Sequence, residues 1–365
     1  MQKPTIALTV GDPAGIGAEV IVGALADPRV HQWCRPIVLG HPAVISRAVR
    51  LLNSTAEVRE VASVAAAMPT LGLIPCLNVC RDDAADAPPC QVDPRAGQAA
   101  YDALVAAARL ALAGEIDAIT TAPLHKGALF QAGHHYPGHT ELLAELCGVT
   151  DFAMMLYLAH DEQILSPGGL GVIHTTLHMS LRDALAALST QAVLEKIRLA
   201  DVSMRPLVGG APRIGVCALN PHGGEAGLFG NEETTLIEPA VNAARSEGIN
   251  AAGPFPTDTL MVRARDGEFD AIVAMVHDQG HIALKLLGMH RAVNVTLGLP
   301  IVRTSVAHGT AFDLAWQGRA RASSMIEAIR VAAELARHRA TTQASAHGNA
   351  QSPNAQTPFA PMRDV

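Results

Sequence analysis

The sequence predicts an α/β protein with a mainly parallel sheet. Short β-branched or apolar runs alternate along the 365 residues with longer Ala- and Leu-rich stretches of helical pattern, an alternation typical of βαβ units. Several of the runs are apolar throughout, which indicates strands that are buried on both faces. The candidate strands, in chain order, are 5–10, 36–40, 117–121, 152–159, 171–175, 213–219, 270–276 and 293–297. The longest candidate helices are 95–115, 181–200 and 323–339.

The composition narrows the classes of function. Hydrophobic residues make up 49% and charged residues 17% of the chain, which indicates a globular protein. The net charge of −7 and an aromatic content of 3% argue against a nucleic-acid-binding surface. No apolar run reaches the roughly 18 residues of a membrane span, the N-terminus lacks a signal-peptide pattern, and the six cysteines form no CxxC pair. We therefore expect reduced thiols and a cytoplasmic enzyme.

The last stretch, 340–365, is rich in Ala, Gln, Asn, Ser and Pro and has no apolar periodicity. A segment of this kind cannot bury enough apolar surface to fold, so we expect a disordered tail without a part in the chemistry. Residues 1–339 are then expected to form a single catalytic unit, and the segment 161–169 to form a loop.

A Gly-rich turn, VGDPAGIGAEV (10–20), stands between the first candidate strand and a helical pattern. This order resembles a nucleotide-binding turn. However, the spacing does not match the dinucleotide fingerprint GxGxxG, and no acidic residue ends the next strand. Two interpretations stay open, namely a tight turn before a helix or a contact with substrate or cofactor.

The segment 120–145, at the end of another candidate strand, is rich in His, Gly and Pro. Within it, His139 and Thr140 precede a helical pattern, and a helix N-terminus favours an anion. Two cations and an amide further along the chain, Lys285, Asn294 and Arg303, are candidates for converging on a phosphate or a carboxylate.

Three histidines far apart in sequence each follow a candidate strand, namely His178, His222 and His277. Three neutral imidazoles bind a divalent metal and leave a position open for substrate. His277 and His281 are also four residues apart, but HDQGH lacks the glutamate of the metalloprotease motif HExxH. From spacing alone, a metal site and solvent-facing or structural histidines are both compatible with this pattern.

Taken in order, the runs TVGDPAGIGAEV, TAPLHKGAL, PGHTELLAE, LNPHGGE, GPFPTDT, HDQG and VNVTLGLPIVRTSVAHGTAFDLA resemble the signature of the 4-hydroxythreonine-4-phosphate dehydrogenase family. The resemblance covers about residues 5–335. It implies a three-layer α/β/α fold of two lobes, related to isocitrate and isopropylmalate dehydrogenases. The lobes would be roughly 1–130 with 305–339, and 131–304. It also implies a homodimer whose active site lies at the subunit interface.

The resemblance further implies a metal-dependent, NAD-linked oxidation with decarboxylation, which converts 4-phosphohydroxy-L-threonine to 3-amino-2-oxopropyl phosphate. The metal ligands would be His178, His222 and His277, with Zn, Co, Mg or Mn as the ion. The family's substrate-binding positions carry the matching residues His139, Thr140, Lys285, Asn294 and Arg303. Candidates for catalytic roles are Asp258, Asp278 and Lys285. The NAD-contacting residues stay unknown, and NADP is an alternative cofactor.

The chain also departs from the family pattern. Ala307 replaces an Asp in the SVxHGTA run, and His281, Ile282 and Ala283 replace a run that begins with Leu-Pro. These changes are similar to those in relatives that act on phosphorylated sugar acids or on the cis-dihydrodiol of terephthalate. Both remain alternative substrates, and a non-catalytic small-molecule-binding protein is the alternative from a different class.

Overall fold

The computed structural model describes residues 3–350 of the chain, with side chains over residues 3–341. In this part of the chain, one twelve-stranded sheet runs through the molecule. The strands are β1 Thr5–Thr9, β2 Arg35–Gly40, β3 Glu57–Val61, β4 Leu73–Asn78, β5 Ala118–Thr121, β6 Ala153–Leu158, β7 Leu170–His174, β8 Ile214–Cys217, β9 Ala251–Phe255, β10 Ala271–Ala274, β11 Val293–Leu297 and β12 Val302–Val306.

Helices connect most of the strands. They are α1 Gly17–Leu25, α2 Pro28–Trp33, α3 Pro42–Leu51, α4 Pro94–Leu112, α5 Lys126–Gln131, α6 His139–Cys147, α7 Leu181–Ala187, α8 Thr190–Val208, α9 Glu238–Ser246, α10 Thr257–Arg265, α11 His277–Gly288 and α12 Ser323–Ala350. Over the described residues, no helix is both long and apolar enough to cross a bilayer.

The sheet is mainly parallel, as predicted, with strand order β3-β4-β2-β1-β5-β12-β11-β6-β7-β10-β8-β9. Its antiparallel pairs lie together in the middle, where β11 pairs with β12 and β6, and β6 pairs with β7. The outer strands on each side are parallel to their neighbours. The centre of the sheet therefore joins two parallel halves that run in opposite directions.

Helices cover both faces of each half, which gives three layers. Along β1, Ile6 and Leu8 pack in one hydrophobic cluster with α1, α3 and α12, whereas Ala7 packs in another with α4 and α6. In the other half, Val273 of β10 packs with α8 and α9, and Ile272 packs with α10 and α11. Because successive residues of a strand point to opposite faces, this division shows that both faces are buried.

All candidate strands are confirmed, but β3, β4, β9 and β12 were not predicted. β3 has mostly exposed and polar residues, and β9 and β12 have Gly or Pro within or beside them, so their patterns are weak. The loop at 161–169 is confirmed. The candidate helix 181–200 is two helices, α7 and α8, because Leu188 is extended and Ser189 caps α8.

The C-terminal helix is longer than the candidate helix 323–339, and the disordered tail stays a prediction. The last helix, α12, continues from Ser323 to Ala350, past the predicted end at residue 339. Among the side chains that the structure describes, up to residue 341, the last buried one in α12 is Ala336. Residues 351–365 lie outside the described part of the chain.

Candidate functional site

A cavity of about 210 Å³ opens over the antiparallel centre of the sheet. Its walls are formed by residues of β5, β12, β11 and the N-terminal end of α6, together with the segments that follow β5 and β12. Its polar lining residues are Thr121, Lys126, His139, Thr140, Glu141, His178, Asn294, Arg303, Ser305 and His308.

The strand register explains how distant residues meet in this cavity. Ser305 of β12 pairs with Thr121 of β5 on one side and with Asn294 of β11 on the other. Arg303 precedes Ser305 by two residues, so both side chains point to the same face of the sheet. Part of the site therefore lies on a face of the sheet, whereas the sequence placed the candidate residues in turns beyond strand ends.

Arg303 is the main positive charge of the cavity, and only 4% of it is exposed. Its Nη1 donates to Thr296 Oγ1 (3.0 Å), and its Nη2 donates to Thr121 Oγ1 (2.7 Å). Its Nε has no hydrogen-bond partner. Burial lowers the pKa of Arg303 to about 10, so the guanidinium remains protonated at neutral pH. A buried cation bonded only to hydroxyl groups is suited to an anionic ligand.

His139 and Thr140 begin α6, whose N-cap residue, Gly138, provides no side-chain cap. The first backbone amides of the helix therefore keep donor capacity for an anion. Burial, and then the positive charge of Arg303, lower the pKa of His139 well below its usual value. The His139 ring is consequently neutral and supplies a hydrogen-bonding group without adding charge.

Asn294 adds an acceptor to the same wall. Its Nδ2 donates to the carbonyl oxygen of Val306 at 3.4 Å, and its buried Oδ1 has no partner. A buried amide oxygen without a donor costs free energy unless a ligand or water satisfies it. The orphaned oxygen indicates that Asn294 is arranged for a donor group on a bound molecule.

Three further histidines, His174, His277 and His281, cluster beside His178 near the start of α11. The rings of His277 and His281 stack at 3.8 Å, and the centroids of His178 and His277 are 6.0 Å apart. His281 Nδ1 is 3.2 Å from His174 Nε2. Burial, and then the neighbouring histidines, lower the pKa of His174 to about 3 and that of His281 to about 4. Both rings are therefore neutral.

Within one chain, only some of the predicted ligands of a divalent metal come together. His178 and His277 are close, and Asp278 Oδ1 lies 2.7 Å from His277 Nδ1, as an orienting carboxylate beside a ligand histidine does. Burial, and then the charge of Lys126, lower the pKa of His178, which keeps it neutral as a ligand must be. Across residues 3–341, however, no three His, Cys, Asp or Glu side chains are arranged to hold a metal.

The third predicted ligand, His222, is exposed and lies in a turn of left-handed backbone after β8. Because β8 neighbours β10 in parallel, His222 and His277 follow the same edge of the sheet. The described chain has no contact between their rings. A metal site with three histidine ligands would need either a movement of this turn or a donor from a second chain.

The structure does not bring the remaining candidates into the cavity. Asp258 is exposed at the start of α10, where its Oδ1 accepts from the Thr259 amide. Asp278 is exposed and contacts His277 rather than the cavity. Lys285 lies one helical turn beyond His281, on the histidine face of α11. These three belong to the metal side of the site or to the surface.

Several residues of the site were missed from the sequence, namely Thr121 and Ser305, which line the cavity, and Thr296, which accepts from Arg303. A signal exists in VNVTL, where Asn294 and Thr296 alternate with apolar residues and therefore share one face of the strand. In IVRTSV the polar Thr304 stands between Arg303 and Ser305 and obscures this alternation. His174 and His281 were also not assigned a role, and their hydrogen bond depends on β7 and α11 being packed together.

The Gly-rich turn packs tightly against its own protein. A Cβ on Gly11 would lie 2.2 Å from the Pro123 carbonyl oxygen, and one on Gly17 would lie 2.2 Å from that of Val10. These glycines are needed for close packing of β1, β5 and α1. This packing accounts for the glycines of a tight turn before a helix, and a contact with substrate or cofactor stays a prediction.

Comparisons with known proteins agree with this geometry. The family model described as "Pyridoxal phosphate biosynthetic protein PdxA" matches residues 32–332. The chain is 47% identical to a 4-hydroxythreonine-4-phosphate dehydrogenase of Trichlorobacter lovleyi, over 92% of this chain and 98% of that protein. It is 44% identical to a D-threonate 4-phosphate dehydrogenase of Salmonella typhimurium, over 92% of this chain and 100% of that protein.

Among solved structures, a 4-hydroxythreonine-4-phosphate dehydrogenase from Klebsiella pneumoniae superimposes with a TM-score of 0.80 and 42% identity. The match covers 92% of this chain and 98% of that one. The family match spans most of the chain, and the relatives match over nearly their whole lengths. The chain therefore belongs to the PdxA family of dehydrogenases.

Proposed function

We propose that this enzyme oxidises a small phosphorylated hydroxy-acid at the cavity over the central strands, with 4-phosphohydroxy-L-threonine as the substrate. The overall reaction is a metal-dependent, NAD-linked oxidation with decarboxylation, which gives 3-amino-2-oxopropyl phosphate. The observation that carries this proposal is the buried guanidinium of Arg303, which lines the cavity and is hydrogen-bonded to two threonine hydroxyl groups. The carboxylate of Glu141 lines the same cavity and acts on Arg303 through its charge, but it forms no ion pair with it in the described part of the chain.

The cavity divides into an anion-binding end and a reacting end. Arg303, together with the amides at the start of α6, forms the end that receives the phosphate. His178 lies across the same cavity, beside the other histidines, and marks the end that receives the hydroxyl group. The side chains of His139, Thr140 and Asn294 line the same cavity and are proposed to orient the substrate through hydrogen bonds.

A divalent metal held by His178, His277 and His222 would lower the pKa of the substrate hydroxyl and stabilise negative charge on its oxygen. NAD, or alternatively NADP, is the hydride acceptor in this proposal, because protein side chains do not accept hydride. Lys285, Asp258 and Asp278 are proposed to act from the metal side. Asp278 has the clearest role there, since its carboxylate fixes the ring of His277.

A homodimer is part of the proposal. His178 and His277 come together in one chain, but His222 remains apart from them. Apolar side chains surround this incomplete site without being buried, namely Leu181 and Leu185 on α7, Leu228 after β8, and Ile282 and Leu286 on α11. A second chain packed on these surfaces would bury them and add the missing donor.

D-Threonate 4-phosphate is a second candidate substrate, because relatives of 44% identity carry that name. It shares the phosphate, and it differs in bearing a hydroxyl in place of the amino group. The phosphate end of the cavity serves both compounds equally. The choice between them depends on groups near the histidines, where His281 departs from the family pattern.

The test is a substrate panel on the metal-loaded enzyme. NADH formation is measured with 4-phosphohydroxy-L-threonine, D-threonate 4-phosphate and the cis-dihydrodiol of terephthalate, before and after chelation of the metal. We expect turnover with a phosphorylated compound, its loss on chelation, and its recovery with Zn, Co, Mg or Mn. Turnover of the dihydrodiol alone would show that the anion is a carboxylate, and activity unaffected by chelation would remove the metal from the proposal.

A further inference from the structure

The guanidinium of Arg303 is fixed by two threonines from the strands on either side of it. β12 lies between β5 and β11. The hydroxyl oxygen of Thr121 on β5 accepts from Nη2, and that of Thr296 on β11 accepts from Nη1. Neither hydroxyl group carries a charge. Both threonines are buried, with 0% and 5% of their surface exposed. The hydroxyl groups therefore hold the guanidinium from two sides within the sheet.

We propose that Thr121 and Thr296 are positioning residues, which orient Arg303 toward the substrate phosphate without neutralising it. This inference rests on the proposed function of the cavity as a phosphate site. A carboxylate at either position would form a bidentate ion pair with Arg303 and would compete with the substrate for it. A hydroxyl group fixes the same plane without forming an ion pair, so the guanidinium keeps its charge for the ligand, opposed by the nearby carboxylate of Glu141.

The hydrogen-bond inventory supports this role. A guanidinium has five N–H groups, and the threonines use two of them. Three N–H groups remain, including the buried Nε, which has no partner. A planar fork with free N–H groups on adjacent nitrogens matches two oxygens of a phosphate. The orientation of that fork is what the threonines determine, because the aliphatic part of arginine is flexible.

The opposite face of the same strands provides a matched control. Thr120 Oγ1 lies 3.0 Å from Thr304 Oγ1, and Thr304 donates to the carbonyl oxygen of Ala328 in α12. Thr120 is as buried as Thr121 and directly precedes it, but it points away from Arg303. Replacing Thr120 by Val therefore removes a buried hydroxyl of the same strand without touching the guanidinium.

The experiment compares Thr121→Val and Thr296→Val with Thr120→Val. Binding of inorganic phosphate is measured by calorimetry on the metal-loaded protein, and Michaelis constants are measured for the phosphorylated substrate and for NAD. Each positioning variant is expected to weaken phosphate binding and to raise the substrate KM about tenfold, as for loss of one hydrogen bond to a charged group. The KM for NAD should not change, and Thr120→Val should bind phosphate as the unmodified protein does.

The conservative variant Thr121→Ser keeps the hydroxyl group and should restore phosphate binding to near the unmodified value. Equal losses of phosphate affinity in Thr121→Val and Thr120→Val, or no loss of affinity in Thr121→Val, would overturn the inference. Phosphate binding does not depend on which hydroxy-acid is oxidised, so this result is separate from the substrate panel. Phosphate binding that needs Arg303 but not the threonines would leave the proposed function standing and remove only the positioning role.

Discussion

At the scale of single residues, the site is defined by polar groups that the protein leaves unsatisfied. Arg303 Nε and Asn294 Oδ1 are buried and lack partners, and both belong to residues that line the cavity over the central strands. Buried groups of this kind normally find a protein partner or water. Their shared location indicates that a bound molecule with both acceptor and donor groups satisfies them.

The first prediction concerns Arg303. Replacing Arg303 by Met removes the buried positive charge, so the KM for the phosphorylated substrate should rise by the equivalent of about 2–3 kcal/mol, and the KM for NAD should change little. Arg265→Met is the control, because Arg265 pairs with Asp266 on the surface. Steady-state kinetics checks both variants. Equal effects on the two Michaelis constants would mean that Arg303 supports the fold rather than the phosphate.

The second prediction concerns Asp12, which is completely buried in the Gly-rich turn. Its Oδ1 accepts from the Ala14 amide, its Oδ2 has no partner, and burial raises its pKa from 3.8 to about 6. Because the folded pKa is raised, the stability from this group is present below the unfolded pKa and is lost as pH rises through about 6.

Asp12→Asn keeps an acceptor for Ala14 but cannot ionise. Relative to the unmodified protein, the variant should gain roughly 1–2 kcal/mol of unfolding free energy between pH 5 and pH 8. Urea unfolding at these two pH values measures the difference. A relative stability that does not depend on pH would show that Asp12 titrates normally in the folded protein.

At the scale of secondary-structure elements, the cavity depends on a close approach of two helices. A Cβ on Gly97 of α4 would lie 2.0 Å from the carbonyl oxygen of Ala128 in α5. α5 begins with Lys126, which lines the cavity. Gly97 therefore allows α4 to pack closely against α5, and this packing fixes the position of the cavity wall that Lys126 lines.

The third prediction tests this contact. Gly97→Ala should lower the unfolding free energy by about 1–3 kcal/mol, because the added methyl group forces α4 and α5 apart. It should also raise the substrate KM by displacing Lys126. Gly210→Ala is the control, since no atom lies within 4 Å of the added Cβ. Chemical denaturation and kinetics measure the two effects, and a Gly97→Ala protein as stable as Gly210→Ala would show that the helices adapt.

At the scale of the whole molecule, the reversal of strand direction at the centre of the sheet places the site where the two parallel halves meet. β5 and β12, which line the cavity, belong to one half of the sheet. β11 and α6, which also line it, lie in the part of the sequence that connects to the other half. The division into lobes at residues 1–130 with 305–339 and 131–304 stays a prediction. The homodimer is likewise a prediction, and the metal ligands offer a way to test it.

The fourth prediction concerns shared sites. If His178 and His277 act from one chain and His222 from its partner, a mixture of His178→Ala and His222→Ala chains should regain about a quarter of the activity, since half of the dimers would carry one intact site. The control is a mixture of His178→Ala and His277→Ala, which should stay inactive. Activity assays after unfolding and refolding the mixtures measure this. Recovery in neither mixture would place all three ligands in one chain.

The sequence by itself determined the class of fold and the family, and it predicted the chemistry of the site. Apolar runs without a polar face require burial on both sides, so a parallel α/β sheet followed from 5–10, 117–121 and 270–276. The family resemblance, carried by runs such as HDQG and PGHTE, named the histidines and the anion-binding residues by type. Both kinds of information are local, and both were readable from short stretches of the chain.

Only the tertiary structure decided which residues meet. Thr121, Thr296 and Arg303 are far apart along the chain or lie on different strands, and they form one unit because β12 is inserted between β5 and β11. β12 itself was missed, since its neighbours Gly298 and Pro300 obscure a strand pattern. The strand order that joins them depends on long-range pairing, whose energy comes from contacts that no local pattern encodes.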